Sequence, residues 1–528
     1  MLTFKIRVMK RYIVTTAILS VLVLSGCEKN FLERNPLDKI STSTFWKTKA
    51  DYNMALTANY GFMHVLNHAP WENPTGHIWG VLLPLWDNMT DNSYGQHGWI
   101  GGTNSIVSGD ISPSTGGYIS QIWTVCYMGI GRTNLFLKQL NAYAGTDLSD
   151  AEKAIAEGEV RFFRAFYYFQ LYSLYGDAPL VIEPLTLETQ EQPKVDADLI
   201  FNQVIADLDF AIANLKGVPY YENSGHVTIS TAQALKARAL MYTAYDETGA
   251  PDVAILSQVK ALCLEIMPLY ELSPVFEDLF QDAGQSGNPE IIFEVNYLAP
   301  DNMPTYGADI LYGDWLVVSP IQNFIDAFEC SDGLAWGVSP LTDPDNPFDN
   351  RDPRLNKTVF VDHPDWGNGN VHYPTNARPT GYGLKKFLEP GNIPYGYTTL
   401  SQQNTVVIRS GEVLLMYAEA QNEIAGPDET VYQAITDLRA RVNMPAYPDG
   451  LTKEEMRERI RHERRIELAF EGLRYYDLKR WRIAGDVLNN VTDGLLNYHW
   501  EDRFYHWPIP QADIDKNHGT LIQNPDYQ

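Results

Sequence analysis

The chain has 528 residues, with 40 Lys and Arg against 66 Asp and Glu for a formal charge of −26, and 45% hydrophobic residues. That apolar content excludes disorder as the dominant state, and the length allows one elaborate domain or several around a large core. The acidity argues against nucleic acid as a partner, since phosphate binding draws its energy from clustered Lys and Arg. Aromatics are abundant, at 12 Trp, 31 Tyr and 21 Phe; they suit a large core and equally a surface that stacks on flat ligand faces.

Residues 1–26 read as an export signal. Lys5, Arg7, Lys10 and Arg11 precede a largely apolar run over 12–24, which ends in Ser25-Gly26-Cys27. A basic start, a short apolar segment and small residues at its end define a secretory signal, and the run is shorter than a membrane span needs. Cys27, placed directly after Leu24-Ser25-Gly26, resembles the lipid-carrying Cys of a bacterial lipobox, and Met9 offers an alternative start. Loss of the signal's four basic residues takes the charge from −26 to −30, which disfavours acidic ligands and favours neutral ones. No later segment reads as a transmembrane helix. Three cysteines remain after Cys27, an odd number that does not make a disulfide framework, and Cys126 and Cys263 read as buried small hydrophobes.

Beyond the signal, the pattern predicts helices over 44–67, 118–141, 149–175, 196–215, 230–246, 251–267, 410–425, 430–442 and 452–471. Ser149-Asp150-Ala151-Glu152 forms a capping box for the third, and Ser230-Thr231-Ala232-Gln233 opens the fifth. Phe162, Phe163, Phe166, Tyr167, Tyr168, Phe169 and Tyr172 cover nearly every side of their helix, so it must lie between neighbours. The fold class expected is mostly α, a tetratricopeptide-like scaffold of helical hairpins without a clean 34-residue repeat, with a loop-rich region and small β elements over one side. Residues 27–280 hold most scaffold helices, and 281–528 pack with them as one intertwined unit. The long loops, 68–117, 282–320 and 331–409, hold Trp71, Trp79, Trp86, Trp99, Trp315, Trp336 and Trp366, which points to folded loops forming a binding surface.

Motifs for chemistry are sparse. His462-Glu463-Arg464-Arg465-Ile466 lacks the second His of a zinc-protease helix. His64 and His68 stand one turn apart without an evident third ligand. Gly129-Ile130-Gly131 lies inside a helix and reads as close packing, not a dinucleotide loop. Asp343, Asp345 and Asp349 loosely follow a calcium loop, but Pro347 and Phe348 occupy positions where a ligand and the turn Gly belong. No cofactor, metal or catalytic residue is assigned, with structural calcium at that loop kept as an alternative. Glu463, Glu467 and Glu471 share a helix face beside Arg464, Arg465 and Arg474 and read as a structural ion-pair network.

Several segments together resemble the SusD/RagB family. They are Cys27 with Phe31-Leu32-Glu33, Arg161-Phe162-Phe163-Arg164-Ala165-Phe166-Tyr167-Tyr168-Phe169 leading to Tyr175-Gly176-Asp177-Ala178-Pro179, and Ala234-Leu235-Lys236-Ala237-Arg238-Ala239-Leu240. Downstream come Asp352-Pro353-Arg354, Tyr417-Ala418-Glu419-Ala420, Leu438-Arg439-Ala440-Arg441-Val442, Glu463 through Gly472, Arg480-Trp481 and Pro508-Ile509-Pro510. The resemblance spans the whole chain after the signal. It implies a lipoprotein anchored through Cys27 to the outer membrane, facing outward, which captures nutrient oligomers with a SusC-like TonB-dependent transporter as partner. In relatives that bind glycans, the site is an arc of aromatics with a few polar groups in two loop regions. By location and chemistry the corresponding candidates are Trp79, Asp91, Asn92 and Trp99 in the first region and Tyr297, Tyr312 and Trp315 in the second. Sugar C–H faces stack on rings, and Asp and Asn pair with hydroxyls. Core packing is the competing reading for any single Trp. The function expected is a non-enzymatic oligosaccharide receptor; the alternatives are a peptide-binding receptor of the same system, an anchored glycoside hydrolase and a helical-repeat scaffold.

Overall fold

The computed structural model describes residues 45–63, 79–98, 100–304, 306–361, 379–393, 395–396, 398–492 and 495–528. The export signal, Cys27, the His64 and His68 pair, Trp71, Trp99 and Trp366 lie outside them. The main helices are α1 (Lys49–Tyr60), α2 (Tyr118–Asn141), α3 (Asp150–Tyr175), α4 (Ala197–Asn214), α5 (Ile229–Thr243) and α6 (Val253–Ile266). After a long stretch with only short helical turns follow α7 (Ser410–Ala425), α8 (Glu429–Arg441), α9 (Lys453–Glu467) and α10 (Arg474–Arg480). The strands are short and pair in antiparallel twos: β1 (Ser93–Tyr94) with β3 (Ser319–Pro320), β2 (Ile291–Val295) with β6 (Thr405–Arg409), and β4 (Val359–Phe360) with β5 (Gly383–Leu384).

Each helix from α2 to α8 packs on the next, which is the expected stack of helical hairpins. Local chemistry sets their ends. Ser149 and Glu152 form the capping box that starts α3, and Thr452 with Glu455 does the same for α9, each satisfying N–H groups that the first turn leaves open. The α5 cap lies two residues earlier than the Ser230 start expected: Thr228 Oγ1 accepts from the Thr231 N–H. The all-round aromatic surface of α3 is buried between α2 and α4, with Phe162, Phe163 and Tyr168 fully enclosed. Arg164 on the same helix is also buried, and its guanidinium grips Asp207 of α4 through two bonds of 2.8 and 2.7 Å. Cys126, Cys263 and Cys330 are free and buried.

The 452–471 helix expected from periodicity is shorter than that. It ends at Glu467, and Phe470 (φ 64°) and Gly472 (φ 74°) turn the chain into α10. Gly472 is required there twice over, since a Cβ would strain the backbone and stand 2.5 Å from Leu83 Cδ1. Glu463, Glu467 and Glu471 do form an ion-pair network, but their partners come from distant segments. Glu463 meets Arg354 and Arg439, Glu467 meets Arg354, Arg409 and Arg441, and Glu471 meets Arg409 and Lys386. Glu290, between α6 and β2, pairs with Arg409 and Arg441 at 2.7 and 2.9 Å. Burial alone would raise the Glu467 pKa; Arg441, Arg409 and Arg354 outweigh it and hold the carboxylate well below the usual range. Arg464 turns instead to Asp477, and Arg465 and Arg474 to Asp91.

Candidate functional site

The two loop regions expected to carry ligand contacts meet each other through β1 and β3, in the register Ser93↔Pro320 and Tyr94↔Ser319. Most of the polar groups there serve the junction. Asp91 is buried, and Arg474 donates to its two carboxylate oxygens at 2.9 Å each. Although burial pushes the Asp91 pKa up, Arg465 and Arg474 bring it down to about 2. Asn92 accepts from Arg465 Nε at 2.8 Å and donates to Asp87 Oδ1 at 2.7 Å. Asp87, which makes no ion pair among the described residues, is pushed by burial up to about 6, partly offset by the bonds from Asn92 and the Phe470 N–H.

The aromatic candidates divide. Trp79 is 3% exposed and packs edge-on against Phe166 at 5.3 Å, and Tyr312 is wholly enclosed, its hydroxyl donating to the Val81 carbonyl. Tyr297 accepts from the Val81 N–H at 3.2 Å, so two phenols hold both backbone polar groups of one residue. Trp315 is 8% exposed and tilts over Tyr306 at 5.3 Å, with the His97 ring 6.4 Å away. Burial and partnering account for four of the candidates within the protein itself. Trp79 and Tyr312 belong to the core, and Asp91 and Asn92 are splints that tie the loops to the α9–α10 corner, with their polar atoms facing protein. Trp99 lies outside the described residues.

Of the candidates, Tyr297 also opens onto a cavity. It lines a cleft of about 870 Å³ walled by the end of α1, the 220–226 loop, the 282–288 turn, β2 with the residues after it, and Asn404. The lining is phenolic and amide-rich, including Tyr60, Tyr220, Tyr221, Asn296, Asn302 and Asn404. A hydrogen-bonded row fixes its floor. Asn404 N–H donates to Gln285 Oε1 at 2.7 Å, Asn404 Nδ2 to Asn296 Oδ1 at 3.1 Å, and Asn296 Nδ2 to the Tyr220 hydroxyl at 3.2 Å. On the far wall, the Tyr60 hydroxyl and His226 Nδ1 both contact Glu159 Oε2, the latter at 2.7 Å. That bond raises the His226 pKa. Glu294 of β2 also lines the cleft, and its Oε2 is buried with no hydrogen-bond partner among the described residues. Burial pushes its carboxyl up to about 7 against the pull of a bond from Asn404.

These cleft residues, apart from Tyr297, escaped the sequence reading. Asn404 lies over 100 residues from Tyr297 in sequence, and its side chain accepts from the Tyr297 N–H at 2.8 Å; no local pattern announces such a meeting. One signal was available: Glu294 interrupts the otherwise apolar strand Ile291–Val295. At the Asp-rich loop, Asp343 accepts from the Asp345 N–H and Asn346 Nδ2, each at 2.9 Å, as a turn that closes on itself. Among the described residues no group of three His, Cys, Asp or Glu is placed to hold a metal, and no helix is long and apolar enough to cross a membrane.

Two family models match the chain: one described as the SusD family over residues 276–527, and one as starch-binding, associating with the outer membrane, over 83–241. The chain belongs to the SusD/RagB family. SusD-like protein P2 of Formosa agariphila is 26% identical over 548 residues, covering 98% of this chain and 100% of that protein. Among solved structures, a SusD-like carbohydrate binding protein from Bacteroides fragilis matches with a TM-score of 0.75 at 25% identity, covering 92% of this chain and 100% of that one. Surface glycan-binding protein A from Bacteroides thetaiotaomicron matches at TM-score 0.70 and 22% identity over 91% of this chain and 100% of that one, a likeness of fold. The helical-hairpin architecture of this SusD-family chain is thus shared along nearly its whole length.

Proposed function

We propose that this SusD-family protein is a lipid-anchored outer-membrane receptor, not an enzyme, that captures oligosaccharides in the 870 Å³ cleft and hands them to a TonB-dependent transporter. The observation that carries this reading is the lining itself. Phenol rings offer flat faces to sugar C–H groups, and a fixed row of amides offers paired donors and acceptors to ring hydroxyls. The size suits an oligomer, since ligand pockets commonly fall in the range of about 300–1,000 Å³. The Bacteroides fragilis relative, described as a carbohydrate binding protein, supports the same class of ligand. Anchoring rests on Cys27 and its preceding signal.

Titration calorimetry of the chain from residue 28 onward, against a glycan panel and a peptide pool, tests the ligand class. Heat with at least one glycan is expected; peptide heat with none from glycans overturns it in favour of the peptide-binding alternative. Cys27→Ser is expected to release the protein from membranes, and purification from native outer membrane to bring down a TonB-dependent transporter.

A further inference from the structure

The cleft differs from the rest of the interior in its charge. Among its described lining residues there is no Lys or Arg, whereas carboxylates come from Glu294 and Asp282. His226 adds no free positive charge, because its ring is held on Glu159 at 2.7 Å. Lys216, the cation that His226 senses, turns its Nζ onto Asn223 Oδ1 at 3.1 Å. Arg409, the cation at the foot of the paired strand β6, is fully engaged with Glu290, Glu467 and Glu471. A sulfate or carboxylate entering the cleft would lose water without gaining a cation. Glu294 lines the cleft, and its Oε2 is a buried acceptor without a hydrogen-bond partner among the described residues, suited to a hydroxyl or, with a charge-assisted bond, to an ammonium group.

Resting on the glycan reading above, we infer that the cleft selects its sugars by charge: it takes uncharged and amine-bearing oligosaccharides, turns away sulfated and uronic-acid ones, and Glu294 is the residue that contacts the ligand amine or hydroxyl. The overall acidity of the chain points the same way, but only weakly, because salt screens distant charges. The local lining acts at contact distance, where screening is slight.

The test uses hexasaccharides of N-acetylglucosamine, glucosamine and sulfated N-acetylglucosamine, with a neutral glucan and its sulfated form as a second series, each titrated calorimetrically into the purified protein. The sulfated member of a series is expected to bind at least about tenfold more weakly than its neutral parent, and glucosamine about as tightly or more tightly than the acetylated sugar. Glu294→Gln keeps the shape and removes the charge; it should weaken glucosamine binding more than neutral-sugar binding and so erase any glucosamine advantage. Asn302→Lys places a cation at the rim and should narrow the gap between sulfated and neutral sugars. Melting curves check that both variants fold. Equal affinity for sulfated and neutral sugars, or an unchanged glucosamine-to-neutral ratio in Glu294→Gln, overturns this inference alone. Absence of heat with every sugar, charged or not, overturns the glycan reading and this inference together.

Discussion

Two regions of this protein bury acidic side chains, and they treat them in opposite ways. Around α9, Glu463 and Glu467 are fully enclosed and each meets two or more guanidinium groups. In the cleft, Glu294 has an oxygen without a partner, and no Lys or Arg lines the walls among the described residues. A buried charge whose neighbours satisfy it is architecture, because removing either partner strands the other. A buried acid left open toward a cavity is available to a visitor.

The sharpest way to break the comparison is Glu467→Ala, which takes the shared carboxylate from Arg354, Arg409 and Arg441 and leaves three buried cations short of negative charge. It is expected to cost about 3–5 kcal/mol in denaturant unfolding, or to abolish soluble expression. Glu294→Gln should do the reverse under the right conditions. The Glu294 carboxyl ionises near 4.5 in the unfolded chain and near 7 in the fold, so the folded state holds the extra proton between those values. Its burden on stability is absent below about 4.5 and complete above about 7, and Glu294→Gln should gain ~3 kcal/mol on the natural protein as pH rises through that window. Stability curves taken from pH 4 to 8 read this directly, and a constant difference refutes it. Asp91, held at about 2, has the opposite sign: its contribution is present above about 4 and is lost as pH falls toward 2. Asp91→Asn should accordingly lower stability at pH 7 by about 2 kcal/mol and by much less at pH 2–3. The smallest effect expected is Tyr221→Ala, a half-buried ring on the cleft wall, which should weaken glycan binding by ~1 kcal/mol and leave the melting temperature within a few degrees.

Much of the scaffold was legible because helices are local objects. The 118–141 and 410–425 helices coincide with α2 and α7 at both ends, and the Ser149 cap was written in four residues. The expected helix overran α9, to 471 instead of Glu467, and α10 was not predicted, since the break depends on Phe470 and Gly472 adopting positive φ in a run that otherwise continues the helical pattern. The candidate site was less legible for a related reason. Asp91 and Asn92 looked like ligand groups in an aromatic loop, and nothing nearby in sequence indicates that Arg465, more than 370 residues on, engages both. The ionic character of the Glu463–Glu471 face was readable, whereas its partners on Arg354, Arg409, Arg439 and Arg441 were not. Chemistry at a position could be inferred, and the identity of the group across the gap could not.

The floor of the cleft carries a further implication. Its hydrogen-bonded row joins Tyr220, from the first half of the chain, to Asn296, Asn404 and Gln285 from the second. A chain truncated before Asn404 retains α1 to α6 yet has no floor. On the proposed reading, ligand capture in this cleft reports completion: a molecule becomes competent only once its distant halves have closed on each other, and the stoichiometry of ligand bound per chain counts the finished molecules in a preparation.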